Sequence, residues 1–484
     1  MMKKEKTKSS LSSFIEKGAL CPFSTKDGNY WIAINGDGHH QTYPLTESRQ
    51  VIMSLKSLYK RLTGEVITTK TCLEAIEELE LFAYEHRISS NLAHRFAYRD
   101  EEIIYDLDGY NGVAVKISAE GYDDEIATPP QTFIQNSTYR PQVRPDKSTE
   151  AEDLPELLLK HFNLKDEAEA RLFAIYVVST FLSPIINVPI LILNGEKGSS
   201  KSTALRRLEQ IVDPKTIDLT GAPKSDADLE VRFHNNCFIT LDNLSFLSKK
   251  TSDLLARSVT GGSASRRQLY TDSNEISLNL KCMVALNGIG MIAREADLLD
   301  RALLFTFSRI SEKEIKTEKE LQMSFEEDLP KILGAIFLCV SSVLADEDEV
   351  VVERKTRMAD FFEAAIKIGR VFSMEDEETA ELLWSNHEFV NRQTLCENIV
   401  AQCLEEFMLK RKEYKGSVTE LLGKLYEVAE NNNIKLSSLP GQPNVLSRRL
   451  NEIKSNLEMA GIFYEVKNKG SFREIHVWKK AKKS

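Results

Sequence analysis

PILILNGEKGSSKSTALRRL, residues 189–208, changes character twice within twenty residues. Apolar β-formers come first, then a glycine-rich turn, then a run in which Ala204, Leu205 and Leu208 recur at helical spacing. A strand feeding a tight turn and then a helix leaves the first helical N–H groups facing outward, where they meet anionic oxygen. Gly195 and Gly198 let the backbone fold tightly. Lys201 is placed to reach β and γ phosphates, and Ser202 to offer magnesium an oxygen. Gly195, Glu196, Lys197, Gly198, Ser199, Ser200, Lys201, Ser202 and Thr203 are therefore the expected cradle for ATP and Mg2+. Ser200 stands where such a loop usually has glycine, and a left-handed backbone there costs of order 1 kcal/mol.

Working outward, CFITLDNLS (237–245) reads as a buried strand that ends in Asp242, the expected second magnesium ligand. The following residue is commonly acidic. Here it is Asn243, which can orient water but cannot accept its proton. Glu196 and Glu230 are alternative proton acceptors, unless Asp242 and water positioning suffice. The next strand, KCMVALNG (281–288), ends in Asn287 at the ligand face of an open α/β sheet, where it can hold the attacking water. MIAREADLLDRALLFTF (291–307) then supplies Arg294 and Arg301. In a ring of subunits an arginine of one copy can stabilise the charge developing in its neighbour's site. Arg301 is preferred for that role, against the plainer reading of an ion pair with Asp297 or Asp300. Arg357, at a helix start, is expected to touch the γ phosphate of its own chain.

The 484 residues carry 42% hydrophobic and 28% charged side chains, a globular balance with room for several domains. A net charge of −10 means that any nucleic-acid contact must come from a local basic surface. The seven cysteines are scattered without a CxxC pair, which points to a reducing cytoplasm and no zinc site. No apolar run follows the basic first residues, so no signal peptide is expected. LFAIYVVSTFLSPIINVPILIL (172–193) is broken by Pro184, Asn187 and Pro189, and reads as helix, turn and strand rather than a membrane span.

Three blocks follow from the patterning. Residues 1–127 mix strands and two helices as an α+β accessory domain, and the proline-rich stretch 128–153 reads as a linker. Residues 154–390 alternate helices with PILIL, NCFITL, CMVAL and ALLFTF, a parallel-sheet α/β pattern, and then turn all-helical. Residues 391–484 give helices and then IFYEVKNKGSFREIHVWKK, two strands around Asn-Lys-Gly, which together read as a winged helix. From residue 440 onward ten lysines and arginines face four glutamates, a local +6 in an acidic chain. SRRLNEIK would be the recognition helix, with Arg448 and Arg449 near its start, and Lys467, Lys469 and Arg473 beside the wing.

The order GEKGSSKS, FITLDN, ALNG, DLLDR, RMADF and winged helix resembles the AAA+ replicative helicases of phages and phage-like mobile elements. In particular it resembles the self-loading initiator helicases of staphylococcal islands and cassettes, related to minichromosome-maintenance and superfamily 3 helicases. The resemblance covers roughly residues 155–480. It implies an AAA+ P-loop core with a helical lid, a hexameric ring with ATP hydrolysed between subunits, and movement on single-stranded DNA. Lys201 and Ser202 would hold phosphate and magnesium, with Asp242 the metal carboxylate, Asn287 the sensor and Arg301 the trans arginine. It also implies a channel hairpin, here RRQLYT, turn DSNE and ISLNLKCMVAL. Arg266, Arg267 and Lys281 are its basic members, while the turn itself is acidic. Duplex origin DNA would meet the C-terminal module, and a primase is a conceivable partner.

Two rival readings accompany this one. Asp106 and Asp108 in EEIIYDLDG lie two apart on a strand, so a primase-helicase could hold two metals there. His39 and His40 fit no partner pattern and read as surface. The other rival is an ATP switch that binds origin DNA without unwinding it.

Overall fold

The computed structural model describes residues 13–480 apart from 27, 37–38, 128–131, 135–137, 268–274, 291, 312, 314–315, 353, 355, 433 and 470–471. The first unit is a three-stranded antiparallel sheet, β1 (Leu20–Ser24), β2 (Tyr30–Gly36) and β3 (His39–Pro44), covered by two helices. Helix α1 (Arg49–Thr63) starts on Ser48, whose side chain accepts from the Val51 N–H, and stops at Gly64 in the left-handed region. It and α2 (Thr69–Glu85) bury Val51, Leu55, Ile76 and Leu79 against Leu20 and Ile32, a core of their own. The side chains of His39 and His40 lie outside the described residues.

A second antiparallel sheet runs in the order β4 (Phe96–Arg99), β5 (Glu102–Asp108), β6 (Val113–Ser118) and β7 (Gly121–Ala127). This sheet corrects the expected boundary at 127. Its inward residues Ile103, Tyr105, Val115 and Ile117 belong to the same apolar core as the later helices. The Tyr105 ring packs 5.3 Å from Phe181 and 5.7 Å from Phe337. The expected linker is also no free tether. Its prolines forbid a regular ladder, so it is stitched down one bond at a time: Arg140 N–H to Pro214, Gln142 N–H to Leu107 and Asp146 N–H to Pro330. A Cβ on Gly334 would lie 2.1 Å from the Asp146 carbonyl, so the segment packs directly on helix backbone.

The third sheet is built from β8 (Ile190–Gly195), β9 (Phe238–Leu244), β12 (Met283–Gly288) and β13 (Ala302–Phe307), all parallel, in the order β13-β8-β12-β9. Residues of β8 alternate between two cores: Leu191 and Leu193 on one face, Ile190 and Ile192 on the other. A strand buried on both faces is therefore a continuous apolar run. The helices are α3 (Leu154–His161), α4 (Glu167–Phe181), α5 (Lys201–Val212), α6 (Asp226–Asn235), α7 (Lys249–Thr260) and the short α8 (Ala296–Leu299). Between β9 and β12 the strands β10 (Ser263–Arg267) and β11 (Glu275–Asn279) pair antiparallel. ISLNLKCMVAL is thus two strands, β11 and β12, and Lys281 sits between them. This is an α/β P-loop core.

Helices α9 (Glu318–Ala345), α10 (Ala359–Val371) and α11 (Asp376–Glu397) follow β13. By length and composition α9 could cross a membrane, yet Phe325, Ile332, Ile336 and Val340 lie in the core. The last unit runs α12 (Ile399–Met408), β14 (Glu413–Ser417), α13 (Val418–Asn431), α14 (Pro443–Glu452), α15 (Lys454–Met459), β15 (Ile462–Lys469) and β16 (Phe472–Lys479). Its sheet order is β14-β16-β15, over a separate core of Leu404, Leu421, Leu446, Leu450 and Ile475. The expected recognition helix breaks at Ile453, where α14 ends and α15 begins.

Candidate nucleotide site

The loop after β8 takes the backbone shape that its glycines permit. Gly195 has φ 150°, and a Cβ there would lie 2.3 Å from the Phe307 carbonyl of the adjacent strand. Ser200 has φ 61°, the left-handed conformation expected at that departure from glycine, and α5 begins at the next residue. Lys201 Nζ donates to the carbonyls of Gly195 (2.8 Å) and Glu196 (2.7 Å) and to Ser199 Oγ (3.2 Å). Burial lowers its pKa, and the nearby Asp242 carboxylate works the other way. Glu196 and Lys197 carry exposed side chains.

A residue that the sequence did not reveal holds the loop from behind. Asn163, between α3 and α4, donates its amide to the Ser199 carbonyl (3.2 Å) and the Ser308 carbonyl (2.6 Å). It ties the loop to the end of β13. Nothing in residues 160–166 marks this, because an asparagine in a helix connection is ordinary turn chemistry.

At the carboxyl ends of the strands, Ser202 Oγ donates to Asp242 Oδ1 (2.8 Å) and Asn287 Nδ2 donates to the same oxygen (2.7 Å). Asn287, which is buried, also accepts the Asn243 backbone N–H at 2.6 Å. This amends two expectations. Asn287 is bonded to Asp242 and to the Asn243 main chain. Asn243 enters through its main chain: it has φ 57°, which asparagine tolerates, and its side chain is exposed. Ser202 and Asp242 form an oxygen-only donor set, which suits a hard cation shared with phosphate oxygens. Among the described residues no group of three or more His, Cys, Asp or Glu gathers elsewhere to hold a metal.

The arginines lie at the other end of the sheet. Ala302 pairs with Ile190 and Phe307 with Gly195, so Arg301 precedes the amino end of β13 while the loop follows the carboxyl end of β8. Five strand residues separate the two levels, roughly 17 Å at about 3.3 Å each. Arg301 therefore cannot serve the loop of its own chain. It pairs with Asp297, and Arg357 Nη1 reaches the same carboxylate at 2.8 Å and Asp300 at 3.6 Å. This corrects the expectation for Arg357: it shares the Arg301 end of the sheet and is not directed at its own phosphate loop.

Two family models match the chain in succession. The model of the actinomycete integrative conjugative element replication protein matches residues 156–377, and that of the AICE RepA C-terminal domain matches residues 400–484. Between them they span well over half of the chain. The chain belongs to the replication proteins of mobile genetic elements. The solved structure of SCCmec type IV Cch, described as an active helicase, is similar over 95% of this chain and 93% of its own, at 14% identity and a TM-score of 0.51. The NrS-1 C-terminal region aligns over 97% and 98% of the two chains, at 12% identity and a TM-score of 0.45. No curated protein matches the chain.

In this replication protein the residues expected to meet DNA fare unequally. Arg266 and Arg267 lie on β10 opposite Ile276 and Glu275, and the turn 268–274 and both arginine side chains fall outside the described residues. Lys281 is tied down instead, donating to the Ser183 carbonyl at 3.0 Å. Arg448 is 71% exposed and only loosely paired, at 3.9 Å from Glu452. Arg449 turns inward to the Ser438 carbonyl (2.8 Å), which removes it from the outer face. Lys467 and Arg473 are exposed on the β15–β16 hairpin, Lys467 beside Glu465 at 3.2 Å, while the Lys469 side chain lies outside the described residues. The paired-metal reading of Asp106 and Asp108 is not supported by the geometry. The strand register shifts between them, Asp106 is buried 3.7 Å from Arg95, and Asp108 is bonded to Asn111.

Proposed function

We propose that the protein is an ATP-dependent replicative DNA helicase and origin-binding initiator of a mobile element, working in the cytoplasm as a hexameric AAA+ ring on single-stranded DNA. One observation carries this reading: the phosphate loop and the Arg301–Arg357 pair stand at opposite ends of one parallel sheet. A complete site then needs two copies, head to tail, a contact that makes a ring when its rotation closes. Loop N–H groups and Lys201 hold the phosphates. Bound magnesium supplies positive charge at the transferring phosphate. Ser202 and Asp242 carry its ligand oxygens, Asn287 fixes Asp242, and Arg301 of the next copy offsets the charge that develops. Releasing Arg301 from Asp297 is part of closing the interface.

The protein then comprises an N-terminal unit, a P-loop core that takes in the β4–β7 sheet and a helical lid, and a C-terminal winged helix. In the winged helix the helix–strand–helix–helix–helix–hairpin order and the basic side chains Arg448, Lys467 and Arg473 support duplex binding. The test is strand separation of a labelled fork. ATP-dependent unwinding that disappears in Lys201→Ala supports the helicase. ATP turnover and duplex binding with a closed fork would support a switch that binds the origin without unwinding.

A further inference from the structure

Helix α11 runs without interruption from Asp376 to Glu397 and enters three cores, with Leu383 in the first, Val390 in the second and Leu395 in the C-terminal one. Its middle is clamped to the arginine strand. Asn386 Oδ1 accepts the Leu304 N–H at 3.1 Å and its Nδ2 donates to the Leu304 carbonyl at 2.7 Å. The next residue, His387, reaches Asp300 at 3.5 Å, the carboxylate beside Arg357. About 7.5 Å further along the axis, five residues at 1.5 Å each, Asn391 is clamped to the C-terminal unit. Asn391 Nδ2 donates to the Asn456 carbonyl at 3.1 Å, and Asn456 Nδ2 donates to Asn391 Oδ1 at 2.7 Å. Both residues are buried, and Asn456 Oδ1 has no partner among the described residues. An apolar pair would fill this space at least as stably. The polar pair instead fixes one register between α11 and α15.

We infer that α11 is a stiff coupling rod: seating of duplex DNA on the C-terminal unit is passed through Asn391, the helix and Asn386 to the strand end that carries Arg301, and so to the neighbour's ATP site. Asn386 and Asn391 are positioning residues and touch neither nucleotide nor DNA. The inference rests on the proposed duplex-binding role of the C-terminal unit.

The test softens the rod and leaves both clamps intact. Glu388 and Phe389 lie between the clamps with exposed side chains. Glu388→Gly/Phe389→Gly loosens the helix there, and Glu388→Ala/Phe389→Ala removes the same side chains while keeping it stiff. In the full chain, ATP turnover is measured with and without poly(dA)·poly(dT) duplex, beside duplex affinity. The glycine pair is expected to keep basal turnover and duplex affinity within about twofold of the alanine pair, while its stimulation by duplex falls at least about threefold. Equal stimulation of the two pairs overturns the inference, as does a wild-type ATPase that binds duplex without responding to it. Unchanged duplex affinity in Arg448→Ala/Arg473→Ala would instead overturn the duplex-binding reading, and the inference with it.

Discussion

Mixing two inactive variants tests whether the nucleotide site is shared. Arg301→Ala keeps an intact loop, and Lys201→Ala keeps an intact arginine. The strand register sets Arg301 roughly 17 Å below its own loop, so each variant alone should lack every complete site. Loss of an arginine that stabilises transferring phosphate lowers turnover by about 10³-fold or more. In a random equimolar mixture, half of the loops and half of the arginines are intact. About a quarter of the contacts between copies then join an intact loop to an intact arginine. The mixture should recover roughly a quarter of wild-type turnover, far above either variant alone, in a steady-state ATPase assay after co-assembly. A mixture that stays at the floor would refute the reasoning, since complementation follows from the geometry once the copies exchange. Light scattering on the mixture verifies that exchange.

Asn163→Ala removes two hydrogen bonds behind the loop. At about 1 kcal/mol each, only partly expressed in binding, this should weaken ATP binding about tenfold. The check is titration with a fluorescent ATP analogue, and an unchanged Kd would remove Asn163 from the site. Asp106→Asn should act through pH. Burial pushes the Asp106 carboxyl up to about 7 despite Arg95, and its Oδ1 has no partner among the described residues. A carboxyl raised in the fold contributes stability that is present below its unfolded pKa near 4 and lost as pH rises through 7. The variant should therefore gain melting temperature on the wild type between pH 5 and pH 8, as read by scanning calorimetry. A constant difference across that range would disprove the shift.

The loop, the strands that flank it and the Ser202–Asp242 pair were legible because each depends on local chemistry: positive φ, a helix start, a carboxylate at a strand end. The sequence misplaces Arg357 because its partner, Asp297, is sixty residues away, and an ion pair leaves no periodic signal. The boundary at 127 rests on prolines, which do mark the absence of a ladder. They cannot report that Gln142 and Asp146 bond individually to distant strands and helices. Asn163 and Asn386 were invisible for a related reason. A side-chain amide bound to distant backbone resembles any surface asparagine until the fold brings its partner near. Arg449 shows the reverse: a charge counted toward a basic face spends its reach on a carbonyl within the same unit.

On both rims of the parallel sheet some main-chain groups are already taken. Leu304 on β13 has its N–H and carbonyl taken by Asn386, and on β9 the Asp242 N–H is taken by the Thr220 carbonyl. A rim with free main-chain groups invites another chain to add a strand, and such additions are slow to undo. Where those groups are taken, a second copy finds no main-chain partner. In the proposed ring, a contact made through side chains at these places would loosen and re-form without exchanging main-chain pairing.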